Sequence, residues 1–247
     1  MSPAKSFGKL IARSVTFTRP ANTTPYSAKD SINVDLSVSG ATNATPIVVT
    51  TPTHSLVDGD FVTISGVVGN TAANGSFYVK KMSNTSISLY TDKALSQPVV
   101  GNGDYVSGGD LARCFRLANV FQDGNGSGFV SKIQSYTNLS TFADQFRFHF
   151  YSSPVAAILD NAPYTIINTN KDKRLGFVDS PAFGTEGTGS DIAAALACGS
   201  VSPSLPLDVF NDESTPEKDL WFMVENLSSG TPASGQEITV KVTVVQN

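Results

Sequence analysis

Two histidines, two cysteines and twenty-one carboxylates are the groups with which this chain of 247 residues could do chemistry. His54 sits just before a turn, in TPTHSL, whereas His149 lies on the Arg147 face of an alternating strand, in FRFHFY. The two fall in differently patterned stretches and predict no shared metal site. His54 is expected to hydrogen-bond locally, and His149 to face solvent or an interface. Cys114 in ARCFRL and Cys198 in LACGS show neither CxxC spacing nor clustered His. They read as reduced thiols packed as small apolar groups.

The loop DGNGSG (123–128) places Asp123, Asn125 and Ser127 at alternate positions before Gly128, as calcium loops do. Its twelfth position is Gln134 instead of a bidentate Glu, and a hairpin turn between Phe121 and Phe129 accounts for the same residues. The glycines of FGTEGTGSD (183–191) fit neither GxGxxG nor the Walker pattern, and no Lys follows them. That stretch reads as a loop lying on a neighbouring subunit. No GxSxG elbow occurs, and no carboxylates pair on an obvious common face. The expectation is a protein that is not an enzyme and that uses no metal and no cofactor. Trp221 with Tyr26, Tyr136 and Tyr151 suits a sugar-stacking platform, but a sandwich core needs the same residues.

These groups must be positioned by strands. Hydrophobic residues make up 40% of the chain and charged ones 15%, which excludes a disordered polymer. Seventeen Lys and Arg against twenty-one Asp and Glu leave a net charge of −4, too little basic character for a phosphate footprint on nucleic acid. No run is apolar enough for a signal peptide or a membrane helix, so assembly in the cytoplasm with no membrane partner is expected. Val15 and Phe17, Val34 to Val38, Phe146 to Phe150, and Ile238 to Val244 all alternate with polar residues. This is the period of strands with one buried face. DGD (58–60), NGS (74–76) and PASG (232–235) supply turns. The pattern predicts an all-β antiparallel sandwich, jelly-roll-like. A single short helix is expected over IAAALA, capped by Asp191.

Residues 41–110 differ in texture, being almost wholly Thr, Ser, Val, Asn and Gly in short strands. They read as a small β-barrel inserted into a sandwich formed by residues 1–40 and 111–247, and autonomous of it. The segment THSLVDGDFVTISGVVGNTAANGSFYVKKMSNTSISL carries Thr53, His54, Leu56, Gly59, Asp60, Val62, Ile64, Ser65, Gly66 and Val67, then Asn74 and Gly75. On these residues it resembles a module recurrent in phage tail and virion proteins. That module is similar in sequence to the first catalytic-cysteine half-domain of ubiquitin-activating enzymes, a small β-barrel. The module holds no cysteine here, so the resemblance does not imply a thioester site.

The blocks VTFTRPANTTPYSAKD (15–30), GSGFVSKIQ (126–134), FRFHFYSSPVAAILDNAPYTI (146–166), RLGFVD (174–179), FGTEGTGSD (183–191) and TPASGQEITVKVTVVQ (231–246) resemble small virion structural proteins of tailed bacteriophages. The resemblance implies a virion component. The leading expectation is a capsid decoration or cement protein bound to the lattice of the major capsid protein and homo-oligomeric, a trimer being the form that matches three-fold positions. Its segment before Val15, with Lys5, Lys9 and Arg13, is expected to act as a basic arm on an acidic capsid surface. The alternative is a tail, fibre or baseplate component that adheres to host-surface glycans.

Overall fold

The computed structural model describes residues 8–122, 126–185, 192–198, 205–210 and 218–246. Two antiparallel sheets carry the fold. The first runs β1 (Leu10–Thr18), β17 (Glu237–Gln246), β10 (Ser127–Thr137), β14 (Ala193–Cys198) and β13 (Gly184–Thr185), with β15 (Leu207–Phe210) also on β10. The second runs β12 (Arg174–Asp179), β11 (Phe146–Tyr151), β16 (Leu220–Asn226), β9 (Asp110–Leu117), β6 (Phe61–Ser65), β7 (Gly75–Lys81), β8 (Ser86–Tyr90), β5 (Val48–Thr50) and β4 (Gly40–Ala41). Two short strands attach beside that path, β2 (Ser31–Ile32) on β16 and β3 (Leu36–Ser37) on β9.

The period-two pattern sets which faces meet. Val15 and Phe17 of β1 and Ile238, Val240, Val242 and Val244 of β17 pack against Phe115, Phe146, Phe148, Phe150 and Phe222 of the second sheet. The Phe17 and Phe115 rings stand 4.4 Å apart, and Phe115 stacks on Phe222 at 5.2 Å. Such aromatic pairs add to the burial that holds the two layers. The second sheet is covered on its other face as well. There Cys114, Tyr151, Trp221 and Met223 meet Val155 and Ala157 of the chain after β11, and Phe61 and Tyr78 from β6 and β7. Burial on both faces explains why LWFMV in β16 reads as an unbroken apolar run.

Two expectations change. The Ala-rich run is strand β14, paired with β10 from Lys132↔Cys198 to Thr137↔Ala193, not a helix. Its small side chains at Ala193 and Ala195 fill the core beneath β10, so sheet pairing overrides alanine's helix propensity. The proposed cap, Asp191, lies outside the described residues. His149 does not face solvent: it is buried, 2% exposed, because Tyr164 stacks on its ring at 4.3 Å.

Residues 41–110 have a hydrophobic cluster of their own, centred on Ile47, Val49, Val62, Ile64, Val79 and Leu89. Their strands nevertheless continue the second sheet, since β6 pairs with β9 from Phe61↔Cys114 to Ser65↔Asp110. β9 is therefore shared: its first half pairs with β6 and its second half with β16. No closed barrel forms among the described residues.

Candidate functional site

The seam between β1 and the turn before β6 gathers the charged side chains that the sequence scattered. The turn Val57–Asp60 is self-bonded: the Val57 N–H donates to Asp60 Oδ2 at 3.0 Å and the Asp60 N–H to the Val57 carbonyl at 3.1 Å. Gly59 turns the chain at φ +80°, and a Cβ there would stand 2.6 Å from Nη1 of Arg116. Only glycine satisfies both the backbone and that approach. Asp60, fully buried, then receives Arg113 Nη2 at 3.0 Å and lies 3.3 Å from Arg116 Nε. Arg116 also reaches Asp219 at 3.6 Å, and Lys93 meets Asp219 at 2.8 Å. These pairs link Arg113 and Arg116 of β9, and Asp219 before β16, to Asp60 and Lys93 within the 41–110 stretch.

Beside this network Arg19 donates to Tyr26 Oη and, at 2.6 Å, to Asp160 Oδ2, while Tyr26 donates to Asp160 Oδ1 at 2.7 Å. Burial and the neighbouring Asp160 carboxylate push the Tyr26 phenol up. Asn33 bonds the carbonyls of Arg113 and Ile158 at 3.0 and 2.9 Å and accepts the Arg113 N–H at 3.1 Å. The two networks pin residues 19–33 to β9 and to the stretch before β12.

Between them opens a cavity of about 610 Å³, lined in part by Val34, Leu36 and Leu56 on the apolar side and by Asp35, His54 and Arg113 on the polar side. A smaller groove of about 280 Å³, lined by Arg13–Thr16, Val57, Asp60 and Arg116, shares Ser55 and Arg113 with it. Both ring nitrogens of His54 are buried and neither makes a hydrogen bond of good geometry among the described residues, while the backbone of Ser86 and of His54 itself lies near enough to favour the charged ring. Burial, followed by the Lys81 charge, holds its pKa below the usual imidazole value. Asp35 is pushed the other way for a carboxyl, by burial and by repulsion from Asp110 and Asp160. Arg113 Nε is a further buried donor with no hydrogen-bond partner among the described residues. A concave site with apolar walls and a few unsatisfied polar groups is a binding site in form.

Lys5 lies outside the described residues. Lys9 is exposed just before β1, and its carbonyl accepts the Gln246 N–H at 2.9 Å. Arg13 is inside β1, opposite Val242, and donates to the carbonyls of Ala118 and Asn119 at 2.8 and 2.9 Å. It belongs to the sandwich wall, and a free arm can comprise only residues before Leu10. Of the calcium-like loop, Asp123 and Asn125 lie outside the described residues. No group of three His, Cys, Asp or Glu able to hold a metal occurs among the described residues.

A second buried cluster lies on the outer face of β11. His149 Nε2 bonds Glu225 at 2.7 Å, while Nδ1 faces Arg174 Nη2 at 3.5 Å. Burial is the main cause holding this imidazole below its usual pKa, against the pull of Glu225. A neutral ring that donates from Nε2 and accepts at Nδ1 satisfies both neighbours. Tyr151 and Tyr164 share a hydrogen bond of 2.7 Å nearby. Arg147 and Arg174 lie over the Phe177 ring, and Arg147 grips Asp179 with two bonds of 2.6 and 2.9 Å. These bonds tie β11, β12 and β16 together. The pattern FRFHFY carried a signal for them, because a polar stripe opposite three Phe must be either wet or internally paired.

Comparison with protein-family models and with curated proteins gives no match for this chain.

Proposed function

We propose that this chain is a structural virion protein of a tailed bacteriophage, a capsid decoration or cement protein that binds and stabilises the assembled head. One observation carries the reading furthest: the ionisable side chains bind the chain to itself. Asp60 with Arg113 and Arg116, Arg19 with Asp160, and His149 with Glu225 are all consumed in holding strands together. That use suits a rigid block whose work is done by its surface. The two sequence resemblances supply the particle to which such a block belongs. The partner is the major capsid lattice, and each copy lends its binding free energy to the closed shell alone. We read the sandwich as jelly-roll-like and residues 41–110 as an inserted, barrel-like module. Supporting that, the segment joining β3 to β4 touches both edges of the module, with the Val38 N–H on Gly109 O at 2.7 Å and the Ser39 N–H on Thr50 O at 2.9 Å.

The test is cosedimentation of purified chain with mature capsids stripped of it, followed by heat challenge. Saturable binding with a raised disruption temperature is expected. Deleting residues 1–8, which leaves β1 whole, is expected to weaken binding and its salt dependence if Lys5 contacts the shell. Binding to isolated tails or host cells, with none to capsids, would give the function to the adhesion alternative.

A further inference from the structure

β1 is an edge strand. The Arg19 N–H donates to Gln236 and the Gln246 N–H to Lys9, so the odd-numbered residues of β1 bond inward to β17. In an antiparallel ladder the alternate residues then present their N–H and C=O groups outward. Ser14, Thr16 and Thr18 are those residues, and their backbone groups have no protein partner among the described residues. Thr16 confirms the phase: it faces Thr239 as a non-bonded pair, with hydroxyls 2.8 Å apart.

Natural sandwiches blunt such an edge with a bulge, a proline or a covering loop. Among the described residues β1 has none of these over its nine positions, and instead a groove runs along it. The two cavities, about 280 and 610 Å³, lie end to end between β1 and the segment 53–57, joined at Ser55 and Arg113. The groove has two different ends. At the Arg13 end, three guanidiniums (Arg13, Arg113 and Arg116) line it with one carboxylate, Asp60. Asp60 is already shared by Arg113 and Arg116, Arg116 also reaches Asp219, and among the described residues Arg13 bonds only backbone carbonyls. At the Thr18 end the walls are Val34, Leu36 and Leu56, with His54 and Arg113 on the polar side.

We infer that this groove is a strand-docking site for an extended, acidic segment of a partner protein. The segment pairs with the outward groups of Ser14, Thr16 and Thr18. A carboxylate on its inner face meets Arg13 and Arg116, and aliphatic side chains on the same face two and four residues away enter the larger cavity. A separation of four residues in a strand spans about 13 Å, which suits the offset between Arg13 and Phe17 on the same face of β1. Main-chain pairing gives affinity and the two unlike ends give direction. The inference does not depend on which particle the chain occupies.

The probe is a fluorescein-labelled, blocked peptide Thr-Glu-Thr-Val-Thr-Val-Thr, compared with the same peptide carrying Lys for Glu and with a peptide of residues 1–9 of this chain. Anisotropy titration should give saturable binding of the acidic peptide, with at least about tenfold weaker binding of the Lys version. Thr16→Pro, which removes an outward N–H and leaves the β17 ladder intact, should weaken binding about tenfold or more. Arg13→Glu should invert the preference, so that the Lys peptide binds the better of the two. This exchange guards against loss of fold in either variant, because a misfolded groove gains no new ligand. No saturable binding by the acidic peptide, indifference to both substitutions, or tighter binding by residues 1–9 overturns the inference. The last result would mean that a second copy's own basic segment is the occupant.

Discussion

Replacing Asp60 by Asn tests whether the ion network rivets residues 41–110 to the sandwich. Asp60 is fully buried, and the change leaves Arg113 without its carboxylate and Arg116 with Asp219 alone, at 3.6 Å. Breaking a buried pair by removing one partner costs about 3–5 kcal/mol; the surviving Asp219 contact places the expectation near 3 kcal/mol. For a chain of this length each kcal/mol shifts the melting temperature by about 2–4 °C, so Asp60→Asn should melt about 6–12 °C lower. Thermal unfolding followed by tryptophan fluorescence reads it directly, since the single Trp221 is buried 6.3 Å from Phe61 at this same seam. Adding Arg113→Met should recover part of the loss, because the orphaned cation is the main cost. If Asp60→Asn melts within about 2 °C of the parent, or if the double variant melts below the single one, the network does not hold the seam.

Three further outcomes are expected. Burial holds the pKa of His54 and His149 below 6.5 in the folded chain, so stability is full above that pH and declines as pH falls toward the folded values. Asp35 and Asp144, raised by burial, oppose this at lower pH, so the readout is a shallower acid slope of the melting temperature for His149→Gln than for the parent; equal slopes would contradict it. The Cys114 thiol, pushed up to about 12 by burial, should resist iodoacetamide in a Cys198→Ser background until the chain is unfolded, as mass spectrometry would show. Replacing residues 41–110 by a Gly-Ser linker should leave a sandwich that unfolds cooperatively but melts lower, because Asp60 is lost and Trp221 loses Phe61 and Tyr78; adding Arg113→Thr and Arg116→Thr should restore part of it.

The strands were legible because each buried face carries its own period. Val15 and Phe17, Phe146 to Phe150, and Ile238 to Val244 stand where alternation places them, all in the core between the sheets. The turn glycines were legible for the same local reason, Gly59 at DGD being one. β14 was misread because alanine's helix preference is local, whereas its pairing with β10 is made some sixty residues away in sequence. His149 was misread because alternation reports two faces without telling whether a later segment covers the second one. Here Tyr164 does so, and Glu225 pairs the ring. The seam groove was not legible at all. Arg13, His54 and Arg113 meet there through three separate segments, and neither spacing nor composition records that meeting.

The order of strands in the first sheet also fixes an order in time. β17 lies between β1 and β10, so the middle of the sheet is the last of its described strands to be translated. Leu10 finds its partner only when Val245 has been made. At bacterial and eukaryotic rates of about 5–20 residues per second, β1 waits roughly 10–50 s beside a growing chain. The pairings of β5 to β8, by contrast, close within a few tens of residues and are complete early. A ribosome-bound intermediate therefore holds the 41–110 sheet formed while β1 is unpaired on both edges. In that interval both edges of β1 are open to a chaperone or a neighbouring nascent chain, whereas once β17 has paired only the outer edge is.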